Sequence, residues 1–131
     1  MKTYILLSAL IYGLCSSIYA APSRKSRPAE SVQLFYAAMS RGNIETAKKY
    51  VLSSKLWEKL NKLEASLKQI PELKKDIRKD YLPLTRAKYL TQSVRKDQGK
   101  VTYSYVKDKK TVTETAFLRF VDGKWRIEEI L

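Results

Sequence analysis

Three groups of residues in this chain could do chemistry. Tyr36, Trp57, Tyr103, Tyr105, Phe120 and Trp125 could line a pocket for a small apolar or ring-bearing ligand, their phenol hydroxyls fixing its orientation. The same spacing serves ordinary core packing, the simpler use of aromatics on one side of a helix or strand. Glu114, inside a predicted strand, is the best-placed acid or base, with Tyr103 or Tyr105 as a donor to an oxyanion. A carboxylate acts as a base near neutrality only where burial raises its pKa. Glu114 is expected to face solvent with Arg119 nearby, so catalysis is the weakest reading. Lys74, Lys75, Arg78 and Lys79 span little more than one helical turn and offer cations to phosphates or an anionic surface. Asp76 and Asp80 dilute that patch.

Other chemistry lacks its residues. The sequence contains no histidine, the commonest general base and metal ligand, so zinc and catalytic-triad readings have nothing to stand on. No metal or cofactor is expected. Cys15 is the one cysteine, and it falls in a leader segment. Residues 1–20, "MKTYILLSALIYGLCSSIYA", run from Lys2 through an apolar stretch to small residues, the pattern of a secretory signal peptide. The stretch is shorter than the roughly 20 residues that span a bilayer. Cleavage after Ala20 is preferred, because cutting one residue later would place Pro22 against the scissile bond. Lipidation at Cys15 is disfavoured, since bulky Leu14 precedes it.

Loss of the leader removes Lys2 and lowers the formal net charge from +13 to +12. A basic exported protein attracts anionic lipid or acidic polymer at long range, yet its cations are interleaved with acids, as on an ordinary solvated surface. Tyrosines alternating with basic residues also imitate a single-strand nucleic-acid platform. No reader motif accompanies them and export argues against it, so no nucleic-acid partner is expected.

These residues must be positioned by one domain, the number that 131 residues accommodate comfortably. Residues 21–29, "APSRKSRPA", read as a flexible basic leader, and the domain is expected over 30–131. "ESVQLFYAAMSRG" predicts an amphipathic helix stopped by Gly42, and Asn43 caps a second one, "IETAKKYVL". Ser53 or Ser54 caps a third, where Leu56, Leu60, Leu63, Leu67 and Ile70 form an internal packing seam. After Pro71 the helical pattern resumes through Leu73, Ile77 and Tyr81 until Pro83 breaks it. Strands follow at about 86–95, 100–107, 111–121 and 124–130, with "KDQG", "KDKK" and "VDG" as turns. Val101, Tyr103 and Tyr105 share one face, as do Ala116, Leu118 and Phe120. The order of elements predicts an α+β domain: N-terminal helices packed on a curved, four-stranded antiparallel sheet.

"AESVQLFYAAMSRGNIETAKKYV" resembles the opening helix pair, and "VDGKWRIEEI" the last hairpin, of small exported domains in the nuclear transport factor 2-like (cystatin-like, SnoaL-like) superfamily. The resemblance covers residues 29–131. It implies a cone, a bent sheet wrapped around helices, often with a pocket between them. Some members are isomerases or dehydratases using Asp, His or Tyr inside the cone, while others only bind ligands or proteins. Fold analogy chooses no activity, and no catalytic residue carries over. Such domains often pair through the outer sheet face, which makes a homodimer an expectation. The combined reading is a periplasmic or secreted, non-enzymatic domain that binds a small apolar ligand or a protein partner. A basic envelope protein holding anionic lipid or polymer is the alternative, and a small cone-fold enzyme the second.

Overall fold

The computed structural model describes residues 27–131. The expected signal peptide, its cleavage site, Cys15 and most of the basic leader lie outside the described residues. Four helices come first: α1 (Pro28–Ser40), α2 (Ile44–Lys48), α3 (Ser54–Gln69) and α4 (Leu73–Thr85). Four strands follow as a meander: β1 (Lys88–Arg95), β2 (Gln98–Lys107), β3 (Lys110–Val121) and β4 (Lys124–Ile130). Their spatial order is β1-β2-β3-β4, each pair antiparallel. The fold is the α+β arrangement expected, with a curved sheet. Register shifts between Tyr89 and Thr91 and between Phe117 and Leu118 bend the outer strand pairs.

Local chemistry sets the helix ends. Pro28 opens α1 at the position where a missing N–H costs nothing. It is buried, so the folded domain starts two residues before the expected Glu30, and Pro28 and Ala29 leave the leader. Gly42, at φ +72°, closes α1 by donating to Met39 O at 3.0 Å, and Asn43 N donates to Ala38 O at 2.9 Å. The Asn43 side chain accepts from Thr46 N at 3.3 Å and starts α2. α2 ends at Lys48, shorter than expected, because Val51 instead forms a parallel bridge with Ile127 on the open edge of β4. Ile127 N donates to Tyr50 O at 2.7 Å, and Leu52 N to Ile127 O at 2.8 Å.

Ser53 is the cap of α3, accepting from Leu56 N at 3.3 Å. Pro83 does not break α4 as expected. It lies two residues from the helix end, where its missing N–H leaves only the carbonyl of exposed Lys79 without a helical donor. The first hairpin turn is Lys96-Asp97; Gln98 and Gly99, expected in that turn, belong to β2. The other turns are Asp108-Lys109 and Asp122-Gly123, both residues of each at positive φ, as two-residue hairpins require.

The core lies between α1 and the inner sheet face: Val32, Phe35, Tyr36 and Met39 meet Val101, Tyr103, Ala116, Leu118, Trp125 and Ile127. Gly99 sits in a tight place there. A Cβ on it would come within 3.0 Å of the Trp125 ring and 3.1 Å of Pro28 Cβ. The outer face is polar, with Thr102 and Thr115 hydroxyls 3.2 Å apart and Arg119 donating to Glu128 at 3.1 Å. No helix among the described residues is long and apolar enough to cross a membrane.

Candidate functional site

Strand alternation places Tyr103, Tyr105 and Glu114 on the inner face, because Tyr103 lies opposite Glu114 in the β2–β3 ladder. Glu114 therefore lies half-buried on the inner, helix-facing side of the sheet rather than on the fully solvated face expected. It has the parity of Ala116 and Leu118, whereas Arg119 sits on the opposite face, paired with Glu128 and Asp97. The phenols reach the carboxylate from both sides. Tyr103 donates to Glu114 Oε1 at 3.1 Å, and Tyr105 donates to Oε2 at 2.8 Å. Tyr36, from α1, lies 2.6 Å from the Tyr103 hydroxyl. A phenol has one proton, and that of Tyr103 goes to Glu114, so Tyr36 is the donor in this contact. The result is a directed chain, Tyr36 to Tyr103 to Glu114, with Tyr105 as a second arm.

Of this array only Tyr36 and Glu114 line a cleft of about 360 Å³ between α1, α3, α4 and the sheet, together with Phe35, Leu60, Tyr81 and Leu84. The expected pocket residues Tyr103 and Tyr105 do not line it: Tyr103 is fully buried behind Glu114, and Tyr105 lines a separate groove beside Pro83 and Lys88. The Tyr81 ring stacks on Tyr36 at 6.1 Å, and Phe35 meets Tyr36 edge-on at 5.1 Å. Lys59, Asp80 and Lys107 also line the cleft, and Lys107 lies 4.0 Å from Asp80. Burial pushes the Tyr36 and Tyr103 hydroxyls well above the ordinary phenol range. Tyr105 is pushed up to about 12, first by desolvation and then by its bond to Glu114. Burial also raises Tyr81. These groups stay protonated through neutral pH and act as fixed hydrogen-bond donors.

The other expected pocket residues lie elsewhere. Phe120 and Trp125 pack edge-on at 5.3 Å at the far end of the inner face, beside Gly99 and Pro28. Trp57 is 38% exposed. Its indole donates to Val51 O at 2.8 Å beneath Lys48, fastening α3 to the chain beside β4. Helical period explains this, since Trp57 is one step off the Leu56–Leu60 seam. Lys74, Lys75, Arg78 and Lys79 are all exposed along α4, with Asp76 between them and Asp80 next in sequence. The Lys74 stem covers Gly42, where a Cβ would lie 2.9 Å from Lys74 Cγ.

Tyr81 and Lys59 were not legible as site residues, because their places depend on how α3 and α4 cross the sheet. A larger groove, about 630 Å³, runs between the start of α3 and the end of β4. It lacks a comparable array: its Glu128 is engaged by Arg119. Among the described residues no group of three His, Cys, Asp or Glu side chains could hold a metal ion.

No protein-family model matches the sequence, and no curated protein sequence matches it. Solved structures do match in shape. A Campylobacter jejuni protein, provisionally designated an NTF2-like transpeptidase, superposes with a TM-score of 0.51 at 14% identity, covering 79% of this chain and 99% of that one. An NTF-2 like protein of unknown function from Shewanella oneidensis MR-1 gives 0.48 at 16% identity, over 83% and 96% of the two chains. One from Cytophaga hutchinsonii gives 0.42 at 14% identity, over 79% and 88%. At these identities the likeness is one of fold: the chain has the nuclear transport factor 2-like fold expected from its sequence.

Proposed function

We propose that this chain is an exported, non-enzymatic binding domain whose tyrosine–glutamate cleft takes up a small ligand. The observation that carries the reading is a carboxylate held from behind by two phenol hydroxyls and presented to an otherwise largely apolar, open cleft. Binding clefts combine apolar walls with a few fixed polar groups, and about 360 Å³ suits a small ligand.

Two facts favour binding over turnover. Burial raises the two phenols that line the cleft, Tyr36 and Tyr81, above the ordinary range, which suits fixed donors rather than acids, and the sequence has no histidine. The pattern of residues 1–20 supports export.

Native mass spectrometry of the protein purified from an exporting bacterium tests this, at low and then raised ionic strength. The expected result is a chain beginning at Ala21 with a small adduct that survives salt and is depleted in Tyr103→Phe. An empty protein, or one holding only anionic lipid that salt strips away, would sink the cleft reading.

A further inference from the structure

Among the described residues Glu114, the inner-face carboxylate, forms no ion pair: the pairs are Arg27–Glu30, Lys48–Glu64, Lys107–Asp80, Arg119–Asp97 and Arg119–Glu128. This occurs in a chain with twice as many basic as acidic residues, 26 against 13. Two lysines share the cleft with it: Lys107 sits beside Asp80, and Lys59 makes no ion pair with Glu114. Two neutral phenols orient the carboxylate and leave its negative charge intact, with a lone pair on each oxygen still to be used.

The walls beside it are aromatic. Tyr81 is the half-buried ring that lines the cleft, backed by the Tyr36 and Phe35 rings, which are buried behind it. A ring face attracts a cation through its quadrupole, and an unneutralised carboxylate in a partly desolvated site attracts it more strongly. Rings and carboxylate together make a receptor for an onium group.

Building on the ligand-binding role proposed for this cleft, we propose that its ligands are small organic cations, the ammonium head against Tyr81 and its charge answered by Glu114. A basic side chain presented by a partner protein fits less well. The cleft's volume of about 360 Å³ suits a lone small molecule rather than a side chain attached to a protein surface.

Isothermal titration of the full mature chain tests this with choline and with its neutral carbon isostere, in which tert-butyl replaces trimethylammonium. Choline is expected to saturate and to bind about tenfold or more tighter than the isostere. Glu114→Gln should bring choline down to the affinity of the isostere. Tyr81→Leu, which leaves the carboxylate array untouched, should weaken choline severalfold and keep the variant comparison readable if Glu114→Gln folds poorly. Equal binding of choline and isostere would overturn the cation assignment while leaving a ligand-binding cleft standing. Choline affinity unchanged by both variants, or no saturable choline binding, would also overturn it.

Discussion

The two ends of the inner sheet face are built from the same pair of strands and put to different uses. At one end Gly99 lies opposite Leu118, and Pro28 and Trp125 close over the glycine. At the other Tyr103 lies opposite Glu114, and the helices leave a cleft. Alternation is equally regular at both, so the strand pattern alone cannot tell a sealed end from an open one. The difference comes from the cover. The start of α1 and the Trp125 ring fill the first end, while α3 and α4 cross the second with space between them.

The sealed end should dominate stability. Trp125 is 3% exposed, and Trp125→Ala is expected to cost about 3–5 kcal/mol in urea unfolding, the range for emptying a large aromatic site. A loss below about 1 kcal/mol would show that this end is not sealed by the tryptophan.

Removing one hydroxyl at the open end should cost less. Tyr103→Phe takes the acceptor from Tyr36 and a donor from Glu114, leaving a buried phenol unpaired. About 1–3 kcal/mol is the expected loss. The same end should fail first in alkali. Tyr36, Tyr81, Tyr89, Tyr103 and Tyr105 all have folded-state pKa values raised above the ordinary 10.0. The unfolded chain thus ionises first as pH rises. The stability these groups contribute is complete below pH 10 and is lost as pH climbs through their folded values. Tyrosinate absorbance followed beside circular dichroism would check this; full ionisation at pH 10 with the fold intact would contradict it.

Tyr89 offers a contrast of sign. Its ring lies 5.6 Å from Tyr103, but its buried hydroxyl has no hydrogen-bond partner among the described residues. Tyr89→Phe should therefore be neutral or stabilising by up to about 1 kcal/mol, where Tyr103→Phe destabilises. Equal losses in the two variants would mean that the hydroxyl chain through Tyr103 contributes nothing beyond ring packing.

The fold was largely legible because local chemistry specified it. Asn43, Ser53 and Gly42 mark helix ends, Asp122-Gly123 marks a hairpin, and the switch in period near residue 86 separates helices from strands. Two errors share one cause. Gly99 reads as turn punctuation and Glu114 as a solvated charge when residue type is trusted over parity. What assigns both is tertiary: the ring that needs room beside Gly99, and the phenols that meet Glu114. The site was half legible, since Tyr103 and Tyr105 share a strand face. The Tyr36–Tyr81 stack joins two helices far apart in sequence, and no local pattern announces it.

The smallest effect is expected from the feature that looked most like a binding surface in sequence. Lys75, Arg78 and Lys79 are exposed, and of the four basic residues only Lys74 has a defined packing role, its stem lying over Gly42. Replacing Lys75, Arg78 and Lys79 with Gln should change stability by no more than about 0.5 kcal/mol each and leave cleft binding intact. Cosedimentation with anionic vesicles across a salt series sharpens the comparison. Attraction that fades with salt, and that the triple variant reduces only in step with its lost charge, belongs to the net positive charge of the whole chain. If the triple variant instead abolished vesicle binding that Tyr103→Phe left untouched, and that binding withstood salt, the active region would be the outer face of α4. The open end of the sheet would then be a polar defect in the core.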